Sequence, residues 1–370
     1  MSSEIDDFKK ESMTTIHKIF YKNSSKMSEL EDNSIDLVVT SPPYPMIEMW
    51  DELFFSINSK IKDAIEGNEL LLAYSLMHEE LDRTWAEINR VIKPGGIICI
   101  NIGDATRKIG DTFQLFPNHA TIINFFQFLG YQILPCVIWR KQTNKPNKFM
   151  GSGMLPPNAY VTLEHEYILI FRKTGNREFL PNQVHNRRAS SYFWEERNIW
   201  FSDVWFDLLG TTQKISNNGT RDRSAAFPFD LAYRLINMYS VYNDTVLDPF
   251  LGTGTTTIAA MCTGRNSFGY EINQNFTGII KDKITDIIEL SRNIVKTRLN
   301  SHIQFIKGRE AQNKDIKHKS LIYGFPVITS QEIEIFIPVV EKVEEINDSF
   351  RIKYSTEGRK FINNQVILQF

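Results

Sequence analysis

The sequence is short of cysteine, of net charge and of long apolar runs, and each shortage removes a class of protein. Three cysteines, Cys99, Cys136 and Cys262, lie far apart in 370 residues. An odd, scattered set fits neither a disulfide framework nor a zinc site, so a reducing cytoplasm is the expected setting and no metal is expected. A formal charge of −2 argues against a generally basic nucleic-acid coat, so any such surface must be local. The stretch Met1 to Met13 is polar and acidic rather than a leader, and no apolar run approaches membrane-spanning length. No internal repeat or low-complexity tract interrupts the chain. What is present is an ordinary globular composition, 42% hydrophobic and 23% charged. The length suits two domains, or one large domain with insertions.

The most informative stretch runs from Ser34 to Tyr44. Ile35, Leu37, Val38 and Val39 form a short apolar run suited to a strand buried on both faces of a parallel sheet. Pro42 and Pro43 then end it, because neither offers an N–H and each holds the residue before it extended. The result is a rigid loop at the carboxyl end of a strand, where ligands bind in open α/β sheets. Such a loop suits the activation of an exocyclic nucleobase amine, whose lone pair is conjugated into the ring. The Ser41 side chain and the Pro42 carbonyl can accept hydrogen bonds from the amine, and the Tyr44 ring can stack on the base. Stacking is worth roughly 1–3 kcal/mol per base, enough to offset much of the few kcal/mol that extruding a base costs. Taken alone, the pentapeptide also reads as a proline-rich turn after a buried strand.

Further elements follow in order. Ile16 to Tyr21 is expected as a first edge strand, and Trp50 to Ile65 as a helical, lid-like segment beside Tyr44. Leu70, Tyr74, Met77, Leu81, Trp85, Ile88 and Ile92 recur at steps of three or four, which predicts a long amphipathic helix. Pro94-Gly95-Gly96 ends it ahead of the strand Ile97 to Ile102, and Asp104 follows as either a supporting or a purely structural carboxylate. Phe113 to Leu129 reads as a helix, and Ile133 to Trp139 as a buried strand that makes Cys136 a core residue. Between Arg140 and Arg188 nine basic residues face three acidic ones. Arg140, Lys141, Lys145, Lys148, Arg187 and Arg188 are the candidate phosphate contacts on this local basic stretch. Residues 174 to 225 read as a small irregular subdomain, followed by a helix starting at Pro228. A helix is expected from about Asn275 to Thr297, and Ile333 to Pro338 and Phe350 to Tyr354 alternate like strands.

A second motif, Asp248-Pro249-Phe250-Leu251-Gly252-Thr253-Gly254-Thr255-Thr256, reads as strand, glycine turn and helix start. Gly252 and Gly254 permit a tight turn and close approach to a ligand. Twenty-three residues beyond Asp248, a strand ends in Glu271, an acid placed to bind both hydroxyls of an adenosine ribose. A glycine turn with a ribose acid, but without the third glycine of a pyrophosphate clamp, favours S-adenosylmethionine over NAD.

Together these motifs resemble the amino-methylating DNA methyltransferases, and more narrowly their beta group, in which the Thr-Ser-Pro-Pro-Tyr loop precedes the cofactor loop. The resemblance spans about Ile16 to Lys283 and includes Asn101-Ile102-Gly103-Asp104, His165-Glu166-Tyr167-Ile168-Leu169 and Ala226-Phe227-Pro228. It implies a Rossmann-like α/β fold with a mostly parallel seven-stranded sheet in circularly permuted order. The expected division is a flexible tail at 1–13, a catalytic half at 14–173, a target-recognition insertion at 174–222, a cofactor half at 223–298 and, outside the shared pattern, a β-rich extension at 299–370, a candidate for DNA contact. Ser41, Pro42 and Tyr44, with Pro43, carry over as the amine clamp. Phe227, Asp248, Gly252, Gly254, Thr255 and Glu271, with the adjoining Thr40, Pro249 and Phe250, carry over as cofactor contacts. Many members have a histidine shortly before the Phe-Pro pair, where this chain has Arg223 and Ser224.

Serine at position 41 resembles the cytosine-N4 enzymes more than the adenine-N6 ones. The implied reaction is direct transfer of a methyl group to cytosine N4 in double-stranded DNA, with adenine N6 as the alternative and RNA or a protein glutamine as more distant substrates. The proton is expected to leave through Ser41 to water, with no covalent step. A catalytically silent DNA-binding subunit would have lost Ser41, Tyr44 or Glu271. The resemblance further implies a cognate restriction endonuclease acting on the same site without a stable complex, and a monomer or loose homodimer.

Overall fold

The computed structural model describes residues 13–109, 112–141, 150–208 and 227–355. Ten strands form the main sheet: β1 Thr14–Phe20, β2 Ile35–Thr40, β3 Ile92–Ile102, β4 Gln132–Arg140, β5 His165–Arg172, β6 Val204–Trp205, β7 Thr245–Asp248, β8 Asn266–Tyr270, β9 Val339–Ile346 and β10 Ser349–Ser355. Their spatial order is β6-β4-β5-β3-β2-β7-β8-β1-β10-β9. The seven strands from β4 to β1 match the expected sheet. Six of them run parallel, and β5 runs antiparallel between β3 and β4. Three more strands widen it at the two edges.

The helices are α1 Asp51–Ile57, α2 Ser59–Glu66, α3 Leu70–Val91, α4 Asn118–Phe128, α5 Val184–Ala189, α6 Trp194–Trp200, α7 Phe229–Tyr239, α8 Thr255–Thr263, α9 Phe276–Thr285 and α10 Ile287–Ala311. Successive strand residues point to opposite faces, and here both faces are covered. Leu37, Val39, Cys99, Ile168 and Ile170 pack with Leu231 and Leu235 of α7 and Ile258 of α8. Val38, Ile98, Ile100, Leu169 and Phe171 pack instead with Met77, Trp85 and Ile88 of α3 and Phe126 of α4. Two-sided burial explains why these strands read as unbroken apolar runs, and each large side chain so buried contributes roughly 1.5–3 kcal/mol. A third, smaller core joins Phe193 to Val295, Leu299 and Ile303 of α10 and to Tyr323, Phe325 and Ile335.

Six expectations need correction. Pro94-Gly95-Gly96 does not end α3, which stops at Val91; the three residues lie inside β3. β1 is not an edge strand, because the C-terminal hairpin β9–β10 pairs along its outer side. The hairpin is held there by the Tyr354 hydroxyl, which donates to the Met261 carbonyl at 2.6 Å. The helix expected from Phe113 begins only at Asn118, since Pro117 cannot continue a ladder of N–H donors; Thr112–Phe116 pairs instead with Ala105–Ile109. β4 is largely exposed along one face, with Ile133 and Ile138 open to solvent, and Cys136 is half-buried. The helix expected from Asn275 is two helices, α9 and α10, that meet at Asp286. Ile333 and Glu334 lie in a turn and Ile335 to Pro338 are irregular, so no strand forms there. No helix among the described residues is long and apolar enough to cross a membrane.

Candidate active site

β2 and β7 are neighbours, with Leu37 opposite Val246 and Val38 opposite Leu247. Two loops more than 200 residues apart in sequence therefore leave the same edge of the sheet side by side. Between them lies a cavity of about 780 Å³. Ser41, Pro42 and Pro43 line it from the first loop, and Pro249, Phe250, Gly252 and Thr255 from the second. Phe227 and Glu271 also line it, and Met49, Trp50, Leu53 and Phe54, at the start of the α1–α2 segment, form one wall.

Each loop is fixed from behind. Asp248, 2% exposed, accepts from the Thr40 and Thr256 hydroxyls at 2.6 Å each and from the Phe250 N–H at 3.1 Å. Burial pushes its carboxyl up to about 6. Thr40 and Asp248 thus bolt the two loops together behind the residues that line the cavity. Gly254 caps α8 at φ +81°, and a Cβ there would stand 3.0 Å from Ile280. Lys283, which sequence reasoning passed over, donates to the Thr253 carbonyl at 2.9 Å and hydroxyl at 2.8 Å. Burial lowers its ammonium to about 8.

Glu271 reaches the cavity from the end of β8. Its oxygens accept from the Gly252 and Asn273 N–H groups, both at 2.7 Å, and burial raises its carboxyl despite those bonds. Among the described residues, this carboxylate is held by backbone donors at the rim of an apolar slot, with Phe250, Ile272 and Phe276 nearby.

On the other side, the Tyr44 hydroxyl donates to Glu166 Oε2 at 2.9 Å and lies 3.2 Å from Ser41 Oγ. Asn101 Nδ2 donates to Tyr44 Oη at 2.8 Å and to Glu166 Oε2 at 2.7 Å. Lys141 Nζ donates to Glu166 Oε1 at 2.8 Å. Burial, and then the Glu166 charge, raise the Tyr44 phenol well above its ordinary value. The ring fits because residue 103 is glycine; a Cβ there would stand 3.0 Å from Tyr44 Cε2. Asn101, Gly103 and Glu166 were visible in the motifs but carried no assigned role. Asp104 accepts from the His119 ring at 2.8 Å and from the His119 N–H at 3.1 Å, so it serves the start of α4.

Among the described residues, the basic stretch does not form one free surface. Lys141 turns inward to Glu166, and Arg140 lies 3.3 Å from Glu164. Arg177 clasps Asp244, and Lys173 donates to the Asn89 and Ile92 carbonyls. On α5, Arg188 pairs with Glu334 at 2.9 Å, while Arg187 stacks over Phe179 with its guanidinium 4.6 Å from the ring centre. Lys145, Lys148, Arg223, Ser224 and the part of the recognition region from 209 to 222 lie outside the described residues.

The DNA methylase family pattern matches residues 35–282. The chain is 56% identical to the type II methyltransferase M.MthZI of Methanothermobacter thermautotrophicus, over 94% of this chain and 98% of that protein. It is 52% identical to M.MjaI of Methanocaldococcus jannaschii, over 74% of this chain and 92% of the relative. Among solved structures, a putative DNA modification methylase from Thermus thermophilus, complexed with S-adenosyl-L-methionine, superposes with a TM-score of 0.56. It is 29% identical, covering 73% of this chain and 95% of that one. The site fits that cofactor: Glu271 offers a carboxylate for paired ribose hydroxyls, the aromatic slot suits an adenine, and the cavity opens onto Ser41. With two thirds of its length matched and its two loops joined at one cavity, the chain belongs to the N6/N4 DNA methylase family of S-adenosylmethionine-dependent DNA methyltransferases.

Proposed function

We propose that this DNA methyltransferase modifies the N4 amine of a cytosine turned out of double-stranded DNA, as the protective partner of a restriction endonuclease. The observation that carries this reading is the single cavity shared by Ser41 and Pro42 with Gly252 and Glu271. The cofactor supplies an electrophilic methyl group. Glu271 would hold its ribose, with Phe227, Phe250 and Thr255 along the slot. Ser41 Oγ and the Pro42 carbonyl would accept from the amine, and Tyr44, backed by Gly103, would stack on the base. The wall of Met49, Trp50 and Leu53 would exclude water. Holding both reactants in line supplies much of the acceleration. A hydroxyl at position 41, in place of a carboxylate or carboxamide, supports cytosine over adenine. The type II relatives support the protective role.

Within this reading, residues 14–173 and 223–298 are the catalytic and cofactor halves, and 174–222 reads the DNA sequence. Arg140, Arg187 and Arg188 are its proposed phosphate contacts among the described residues. Lys141 is not among them, being spent on Glu166.

Nucleoside mass spectrometry on plasmid DNA from a methylation-free host expressing the chain tests the reading. N4-methylcytosine is expected with the intact protein and absent with Ser41→Ala. N6-methyladenine would overturn the base assignment, and no modified base would overturn the reading as a whole.

A further inference from the structure

The hydrogen bonds around Tyr44 have a direction, and Glu166 sets it. A carboxylate only accepts, so the Tyr44 hydroxyl must donate to Glu166 Oε2. Tyr44 Oη is then left as an acceptor, and Asn101 Nδ2 takes one of its positions. Ser41 Oγ, 3.2 Å away, can bond to Tyr44 only by donating its own proton. That leaves the lone pairs of Ser41 Oγ for the cavity, which is the orientation needed to accept from an amine. With a neutral hydrogen-bond donor at 166 the chain could reverse, and Ser41 would then present a proton to the substrate nitrogen.

We propose that Glu166 is a positioning residue for methyl transfer, which acts through Tyr44 to make Ser41 an acceptor and takes up the proton that the amine releases. The proposal rests on the amine-methylating reading above. As the amine nitrogen bonds to the methyl carbon, the carbon–sulfur bond breaks and its electron pair stays on sulfur. The nitrogen is left positively charged with one proton too many. That proton passes to Ser41 Oγ, the Ser41 proton to Tyr44 Oη, and the Tyr44 proton to Glu166 Oε2. Serine and tyrosine end as they began, and Glu166 then gives its proton to water. The high proton affinity of the Tyr44 phenol fits this order, because the tyrosine hands on a proton as it receives one and never carries the charge.

The surroundings of Glu166 suit an acceptor. Lys141, from the residue after β4, pairs with its second oxygen, and that lysine is 45% exposed, which gives a route to solvent. Tyr44 faces it from the catalytic loop, and β3 contributes the neutral amide of Asn101. The nearby carboxylate Asp104 is turned away to His119. On its own strand, Glu164 is turned to Arg140.

The test is single-turnover methyl transfer from labelled cofactor to plasmid DNA from a methylation-free host, measured across pH for the wild type, Glu166→Gln and Glu166→Asp. Cofactor binding by calorimetry and DNA binding by fluorescence anisotropy are measured on the same proteins. The expected result is a rate lowered about 100-fold in Glu166→Gln, with both binding constants and the melting temperature unchanged. The acid limb of the wild-type pH profile should vanish in Glu166→Gln and return in Glu166→Asp. A Glu166→Gln rate within threefold of wild type, or an unchanged acid limb, would overturn the proposal. A wild type that methylates nothing would instead overturn the reading on which it rests.

Discussion

Asp248 and Glu166 flank the catalytic loop from opposite sides, and both are at most 9% exposed. Their partners differ. Asp248 meets two neutral hydroxyls and a backbone N–H, with no cation at hydrogen-bond distance among the described residues. Glu166 meets a lysine, a phenol and an amide. The first arrangement ties two strand ends together and leaves the carboxyl with a raised proton affinity. The second balances the charge and connects it to the cavity. Depth of burial therefore does not sort structural from chemical acids at this edge of the sheet; the groups they face do.

Substitutions can break that contrast. The largest effect is expected at Ser41→Ala, which removes the acceptor that faces the amine and should lower the methyl-transfer rate roughly 10³-fold with cofactor binding retained by calorimetry. On the other side of the loop, Asp248→Asn should change stability rather than chemistry. Because folding raises the Asp248 carboxyl to about 6, its contribution is full below the unfolded value and is lost as pH rises through 6. The stability of wild type relative to Asp248→Asn should therefore fall by on the order of 3 kcal/mol between pH 4 and pH 7 in urea melts. A difference independent of pH would show that the buried acid is not the source.

Gly103→Ala sharpens the chemical side. Its Cβ would press on the Tyr44 ring from 3.0 Å, so a rate loss of roughly tenfold is expected, without loss of cofactor binding. The smallest effect is expected at Arg187→Ala, which should reduce the slope of log affinity for DNA against log salt by about 0.9. Arg177→Ala, which breaks the clasp on Asp244, should leave that slope unchanged and lower the melting temperature.

These contrasts also mark how far the sequence could be read. The proline loop after β2 and the glycine loop after β7 were legible because each is a contiguous string whose prolines or glycines have local consequences. That they share one cavity follows from β2 lying beside β7, which no local pattern reveals. Asn101 and Glu166 meet Tyr44 only because β5 runs antiparallel beside β3, and strand register has no signature in either segment. Charge counting around residues 140–188 overstated the free basic surface, since Lys141, Lys173 and Arg177 reach partners far away in sequence. β1 looked like an edge because its outer partner lies more than 300 residues downstream. The division of labour at the end of β7 was likewise hidden. Asp248 heads the cofactor motif yet turns its carboxylate to Thr40 and Thr256.

A crystal structure of the chain bound to S-adenosylmethionine tests most directly the claim that the two loops build one reaction chamber. The ribose hydroxyls are predicted to lie within hydrogen-bond distance of Glu271, with the methyl group facing Ser41 and the Pro42 carbonyl and Asp248 still bonded to Thr40 and Thr256. A cofactor bound away from Glu271, or with its methyl group turned from Ser41, would contradict the account.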